Sequence, residues 1–73
     1  SEPDAGYLRE TLNTYLQSES NLAETSRALE IHRNTVVKRI EKIEELLDAP
    51  LENPDTKFAL RIALRILEIS ATE

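Results

Sequence analysis

Two short amphipathic stretches meet abruptly at Glu30-Ile31, and that junction leaves a chain of 73 residues few ways to fold. Before it, Leu22-Ala23-Glu24-Thr25-Ser26-Arg27-Ala28-Leu29 carries apolar or small residues at 22, 25, 26 and 29, the spacing of one helical face. After it come Ile31-His32-Arg33-Asn34-Thr35-Val36 and Lys38-Arg39-Ile40. The spacing predicts a longer helix from about Arg33 to Leu47, with Val36, Ile40, Ile43 and Leu47 as its inward stripe. Two helices joined by so tight a turn form a helix-turn-helix pattern.

Polar breaks and prolines divide the rest. A first helix is predicted from about Ala5 to Gln17, with Leu8, Leu12, Tyr15 and Leu16 on one face, ending at Ser18-Glu19-Ser20. Asn21 is placed to cap the second helix, and Glu24 three residues on completes a capping-box pattern. The third helix ends at Asp48-Ala49-Pro50. Asn53-Pro54-Asp55 opens a fourth, to about Ser70, with an Asn cap, proline at the first helical position and an acid where the helix dipole favours one. With no repeat and no strand-like alternation, the expected fold is all-α: a small four-helix domain containing a helix-turn-helix, residues 1–73 forming a single unit.

The chain has no cysteine, so helix packing must stabilise the core without disulfides or thiolate-bound metal. No apolar run approaches the roughly 18 residues that span a bilayer, so no membrane association is expected, and the absence of cysteine fits a cytoplasmic location. The chain opens Ser-Glu-Pro and contains no methionine, which suggests a piece of a longer polypeptide with a cloning remnant at its front. A net charge of −5 argues against a polyanionic partner at face value. Its distribution argues otherwise: from His32 to Lys42 the chain carries Arg33, Lys38, Arg39 and Lys42 against Glu41 alone. Solvation of a helix surface would account for the same charges.

On the third helix the face opposite Val36, Ile40 and Ile43 holds Asn34, Lys38 and Glu41, flanked by Arg33, Val37, Arg39 and Lys42. Those side chains suit the major groove of DNA. Arg bonds guanine O6 and N7, Asn bonds adenine N6 and N7, and an apolar group such as Val37 meets a thymine methyl. Base contacts come mainly from the N-terminal part of a recognition helix, where Arg33 and Asn34 lie. Arg33, Asn34, Val37 and Lys38 are therefore the candidate base-contacting residues, and His32, Thr35, Arg39 and Lys42 the candidate phosphate contacts. The alternatives are local: Asn34 bonding the backbone at the helix start, His32 acting as a cap, Thr35 bonding the backbone, and Arg39 and Lys42 in surface ion pairs. A single histidine and no cysteine make no metal site, no cofactor is expected, and no convergent catalytic set appears.

The run Ile31-His32-Arg33-Asn34-Thr35-Val36, then Arg39-Ile40 and Ile43-Glu44-Glu45-Leu46-Leu47, resembles the C-terminal helix-turn-helix domain of the PucR family of bacterial transcription regulators. The similarity covers nearly the whole chain. Leu8, Thr11, Leu12, Tyr15 and Leu16 look like the first helix of that family; Leu51, Asn53-Pro54-Asp55-Thr56, Phe58, Ala59, Leu60, Ala63 and Leu64 look like its last. The resemblance implies a domain that binds double-stranded DNA at the C-terminal end of a larger regulator whose upstream part senses a metabolite. Glu30 stands where the turn often has glycine, Val37 where the helix often has Arg, Lys38 where it often has an aromatic residue, and Ser26 where alanine is usual. A left-handed Glu30 would be strained by about 1 kcal/mol.

The fourth helix is apolar over more than one stripe. Phe58, Ile62, Ile66 and Ile69 are expected to face inward, leaving Leu60, Ala63, Leu64 and Leu67 as an association surface for another copy or for a missing upstream sensor domain. A homodimer would set two recognition helices roughly 34 Å apart, one DNA turn. Burial of this second face under the first helix is the alternative. A rival function is that of an acidic helical protein-interaction or dimerisation module without DNA binding.

Overall fold

A computed structural model describes residues 6–71 as four helices: α1 (Gly6–Gln17), α2 (Leu22–Leu29), α3 (Arg33–Leu47) and α4 (Pro54–Ala71). The expected start of α1 at Ala5 and the Ser-Glu-Pro opening lie outside the described residues. No helix among the described residues is long and apolar enough to cross a membrane.

The inward stripes of α1 and α3 build the core. Leu8, Leu12, Tyr15 and Leu16 meet Val36, Ile40 and Ile43, and Leu51 closes the cluster from the α3–α4 connection. Leu51 is held there by its own backbone, whose N–H donates to Glu44 Oε2 at 2.8 Å. Leu22 and Ile31 pack on the edge of this cluster, and α1, α2 and α3 each contact the other two. Leu47, expected on the inward stripe, is 42% exposed, because α3 runs past the end of the core before it terminates.

Local chemistry sets each boundary. Asn21 Oδ1 accepts the Glu24 N–H at 3.0 Å, but only this half of the capping box forms, since the Asn21 N–H donates to the Ser18 carbonyl of the preceding turn. Asn53 caps α4 in the same manner, its Oδ1 accepting the Asp55 N–H at 2.8 Å. Helices α1, α2 and α3 all end in the same way, with left-handed residues Glu19, Glu30 and Asp48. In each case the next N–H reaches back to a carbonyl five residues earlier: Ser20 to Tyr15, Ile31 to Ser26 and Ala49 to Glu44. These are Schellman ends built without glycine, which normally occupies that left-handed position. Ser20 is left-handed as well, with a buried hydroxyl that has no hydrogen-bond partner among the described residues.

Helix α4 sits apart from this scheme, because it lies against α1 alone and none of its residues is fully buried. Its orientation is also the reverse of the one expected from sequence. Leu60 and Leu64 pack against the core, while Phe58, Ile62, Ile66 and Ile69 face solvent. Leu67 stays 44% exposed on the rim of an apolar groove between α1, the end of α3 and α4. Both stripes have helical spacing and similar hydrophobicity, so periodicity cannot choose between them. A long-range bond accompanies the observed choice: Arg61 Nη2 donates to the Leu16 carbonyl at 3.1 Å, placing a cation at the carbonyl end of α1.

Candidate nucleic-acid interface

The turn between α2 and α3 is held by a pair of reciprocal bonds. The Ile31 N–H donates to the Ser26 carbonyl at 3.2 Å, and the Ser26 hydroxyl donates back to the Ile31 carbonyl at 2.6 Å. An alanine at 26 would keep the close approach and lose the second bond. Thr25, fully buried, anchors the start of α2 by donating its hydroxyl proton to the Asn21 carbonyl at 2.8 Å. Glu30 occupies the left-handed region at φ 57°, ψ 43°, as the glycine preference of this turn implied.

His32 forms the N-cap of α3, its Nδ1 accepting the Asn34 N–H at 3.0 Å. The accepting nitrogen carries no proton, so the ring keeps its N–H at Nε2 as a donor. Because the ring caps the helix, the side chain of Asn34 is not used for that purpose and makes no hydrogen bond among the described residues. Arg33, Asn34 and Lys38 are exposed, and Val37 is half-buried, since one step along a helix from buried Val36 turns a side chain only about 100°. The Thr35 hydroxyl makes no hydrogen bond among the described residues.

Thr35, Arg39 and Lys42 recur at intervals of four and three and therefore share one flank of α3. Their circumstances differ. Lys42 Nζ lies 3.3 Å from Glu45 Oε1 in an exposed pair, an arrangement typically worth less than about 1 kcal/mol and easily exchanged for another anion. Arg39 is half-buried and held by α1, with its guanidinium 5.0 Å from the Tyr7 ring centre and Nη1 donating to Thr11 Oγ1 at 3.2 Å. Nothing in the periodicity of α1 marks Tyr7 or Thr11 as partners of a residue on α3, 28 positions beyond Thr11.

The outward face of α3 is divided by charge. Its first two turns present Arg33, Asn34 and Lys38, and beyond them Glu41 and Glu45 take over, both exposed. A polyanion can thus approach the N-terminal half of α3 most readily, while Glu41 and Glu45 repel it from the outward face beyond. The same half carries the His32 Nε2–H and the positive end of the helix dipole.

The sequence pattern of the PucR C-terminal helix-turn-helix domain matches residues 8–66. The chain belongs to this family. Among PucR-type relatives, the Purine catabolism regulatory protein of Bacillus subtilis (strain 168) is 48% identical over 59 residues, covering 81% of this chain and 11% of the relative. The Carbohydrate diacid regulator of Escherichia coli (strain K12) is 40% identical over 63 residues, covering 86% and 16%. The DNA-binding transcriptional activator AdeR of Bacillus subtilis (strain 168) is 30% identical over 57 residues, covering 78% and 14%. The chain therefore spans well under two thirds of each relative's length. No solved structure matches it.

Proposed function

We propose that this chain is the DNA-binding output module of a bacterial transcription regulator, with the first two turns of α3 in the major groove. The observation that carries the reading is the capped start of α3: His32 satisfies the helix, so Arg33, Asn34 and Lys38 project from a rigid frame with their polar groups uncommitted. Arg33 and Asn34, with Lys38 and the edge of Val37, contact base edges, while His32, Thr35, Arg39 and Lys42 contact phosphates. DNA as target places the module in the cytoplasm. Arg33→Ala and Asn34→Ala should each cost about 1 to 3 kcal/mol on a selected site, whereas Lys42→Ala should weaken all sequences alike. Binding assays on a selected duplex and a scrambled one decide: equal losses on both for Asn34→Ala would remove its base-reading role.

A recognition surface of two helical turns covers few base pairs, which favours a second copy on an adjoining half-site. The surface for that copy is the outer stripe of α4, Phe58, Ile62, Ile66 and Ile69, because Leu60 and Leu64 are taken up by the chain's own core. Sedimentation of the parent beside Ile62→Glu/Ile66→Glu tests it. The parent should associate and the variant should be a folded monomer; a monomeric parent would sink the idea.

A further inference from the structure

The α1 contact of Arg39 reaches beyond packing. Thr11 is fully buried, and its hydroxyl proton is committed to the Tyr7 carbonyl at 2.6 Å, so the hydroxyl oxygen presents lone pairs to Arg39 Nη1. The Tyr7 ring lies beneath the same guanidinium. Arg39 thus spends one of its five donors on Thr11 and is held by a stack and a hydrogen bond together. Of the three side chains on this flank of α3 it is the one held from a second helix. Tyr7 itself is 44% exposed and its phenolic hydroxyl has no hydrogen-bond partner among the described residues. Glu10, three residues on, lines the cleft towards α4.

A helix about 10 to 12 Å across nearly fills a major groove about 12 Å wide, so its flanks face the sugar-phosphate walls. We propose that Tyr7 and Arg39 form one phosphate clamp, in which the start of α1 contacts the DNA backbone beside the recognition helix. This rests on the placement of α3 in the groove given above. The Tyr7 ring fixes the guanidinium, and its hydroxyl donates a second, uncharged hydrogen bond to the same stretch of backbone. Holding the arginine in place before binding lowers the side-chain entropy lost on contact.

The test measures binding of the parent, Tyr7→Phe, Arg39→Gln, Arg39→Lys and Lys42→Ala to a short duplex of random sequence over a salt series, with thermal melting of each protein alongside. Tyr7→Phe keeps the ring, so its melting should match the parent while affinity falls about two- to ten-fold, with the salt slope unchanged. Arg39→Gln should reduce the slope of log K against log salt by about 0.9, and Arg39→Lys should keep it. The clamp is overturned if Tyr7→Phe binds like the parent, or if Arg39→Gln lowers melting without changing the slope, while Lys42→Ala weakens binding. A parent that binds no duplex at any salt overturns instead the DNA-binding reading on which the clamp depends.

Discussion

Helix α4 is the most apolar of the four helices and yet the one with no buried residue, in contrast to α1, α2 and α3. The first three are mutually packed, ended by Schellman bonds and tied together by Arg39 to Thr11 between α3 and α1 and by Ser26 to Ile31 across the α2–α3 turn. The fourth, the longest, leans on α1 with one stripe and leaves another uncovered. Hydrophobicity alone therefore does not set what a helix contributes to this fold. What decides is whether its stripe meets apolar neighbours on more than one side, since burial and close packing supply most of the stabilisation.

The sharpest way to break the contrast is to shorten one isoleucine in each region. Ile40→Ala in the core should cost about 2 to 5 kcal/mol in chemical denaturation, and Ile66→Ala on the outer stripe of α4 less than about 0.5 kcal/mol. Comparable losses would show that α4 is covered in solution. The turn lock is a smaller matter. Ser26→Ala should cost about 1 kcal/mol by leaving the Ile31 carbonyl without the hydroxyl, and an unchanged melting temperature would mean that water replaces it at no loss. Smallest is Glu30→Gly, which should raise stability by up to about 1 kcal/mol, the relief of left-handed strain outweighing the added freedom of the unfolded chain. A fall in melting temperature would assign Glu30 a favourable interaction that outweighs its backbone cost.

The sequence made the four helices legible, because caps and periodicity are local: Asn21, Asn53 and Pro54 mark helix starts, and the spacing of Val36, Ile40 and Ile43 fixes the buried face of α3. The left-handed turn at Glu30 was legible only through the resemblance, from the glycine often found at that position. The facing of α4 was not, since Leu60/Leu64 and Phe58/Ile62 satisfy one period equally and the bond from Arg61 to the Leu16 carbonyl joins residues 45 apart. Within the candidate interface, the exposed placement of Arg33, Asn34 and Lys38 could be read from the helix period. The capture of Arg39 by Tyr7 and Thr11 could not, because it depends on where two helices cross. His32 as a cap was legible as one reading of that residue, and the ring nitrogen accepts the Asn34 N–H accordingly, leaving Nε2–H for the proposed phosphate contact. Ser26 looked like a small spacer and proves to be a hydrogen-bond donor, a role composition does not reveal.

The division of charge along α3 also bears on how the molecule arrives at its target. An acidic body with a basic corner is an electric dipole, and in the field of a polyanion it experiences a torque before it touches anything. Collisions made with the carboxylates of Glu41 and Glu45 leading would be disfavoured, and those made with Arg33 and Lys38 leading favoured. The net charge of −5 would shorten the residence of a misaligned encounter with a polyanion.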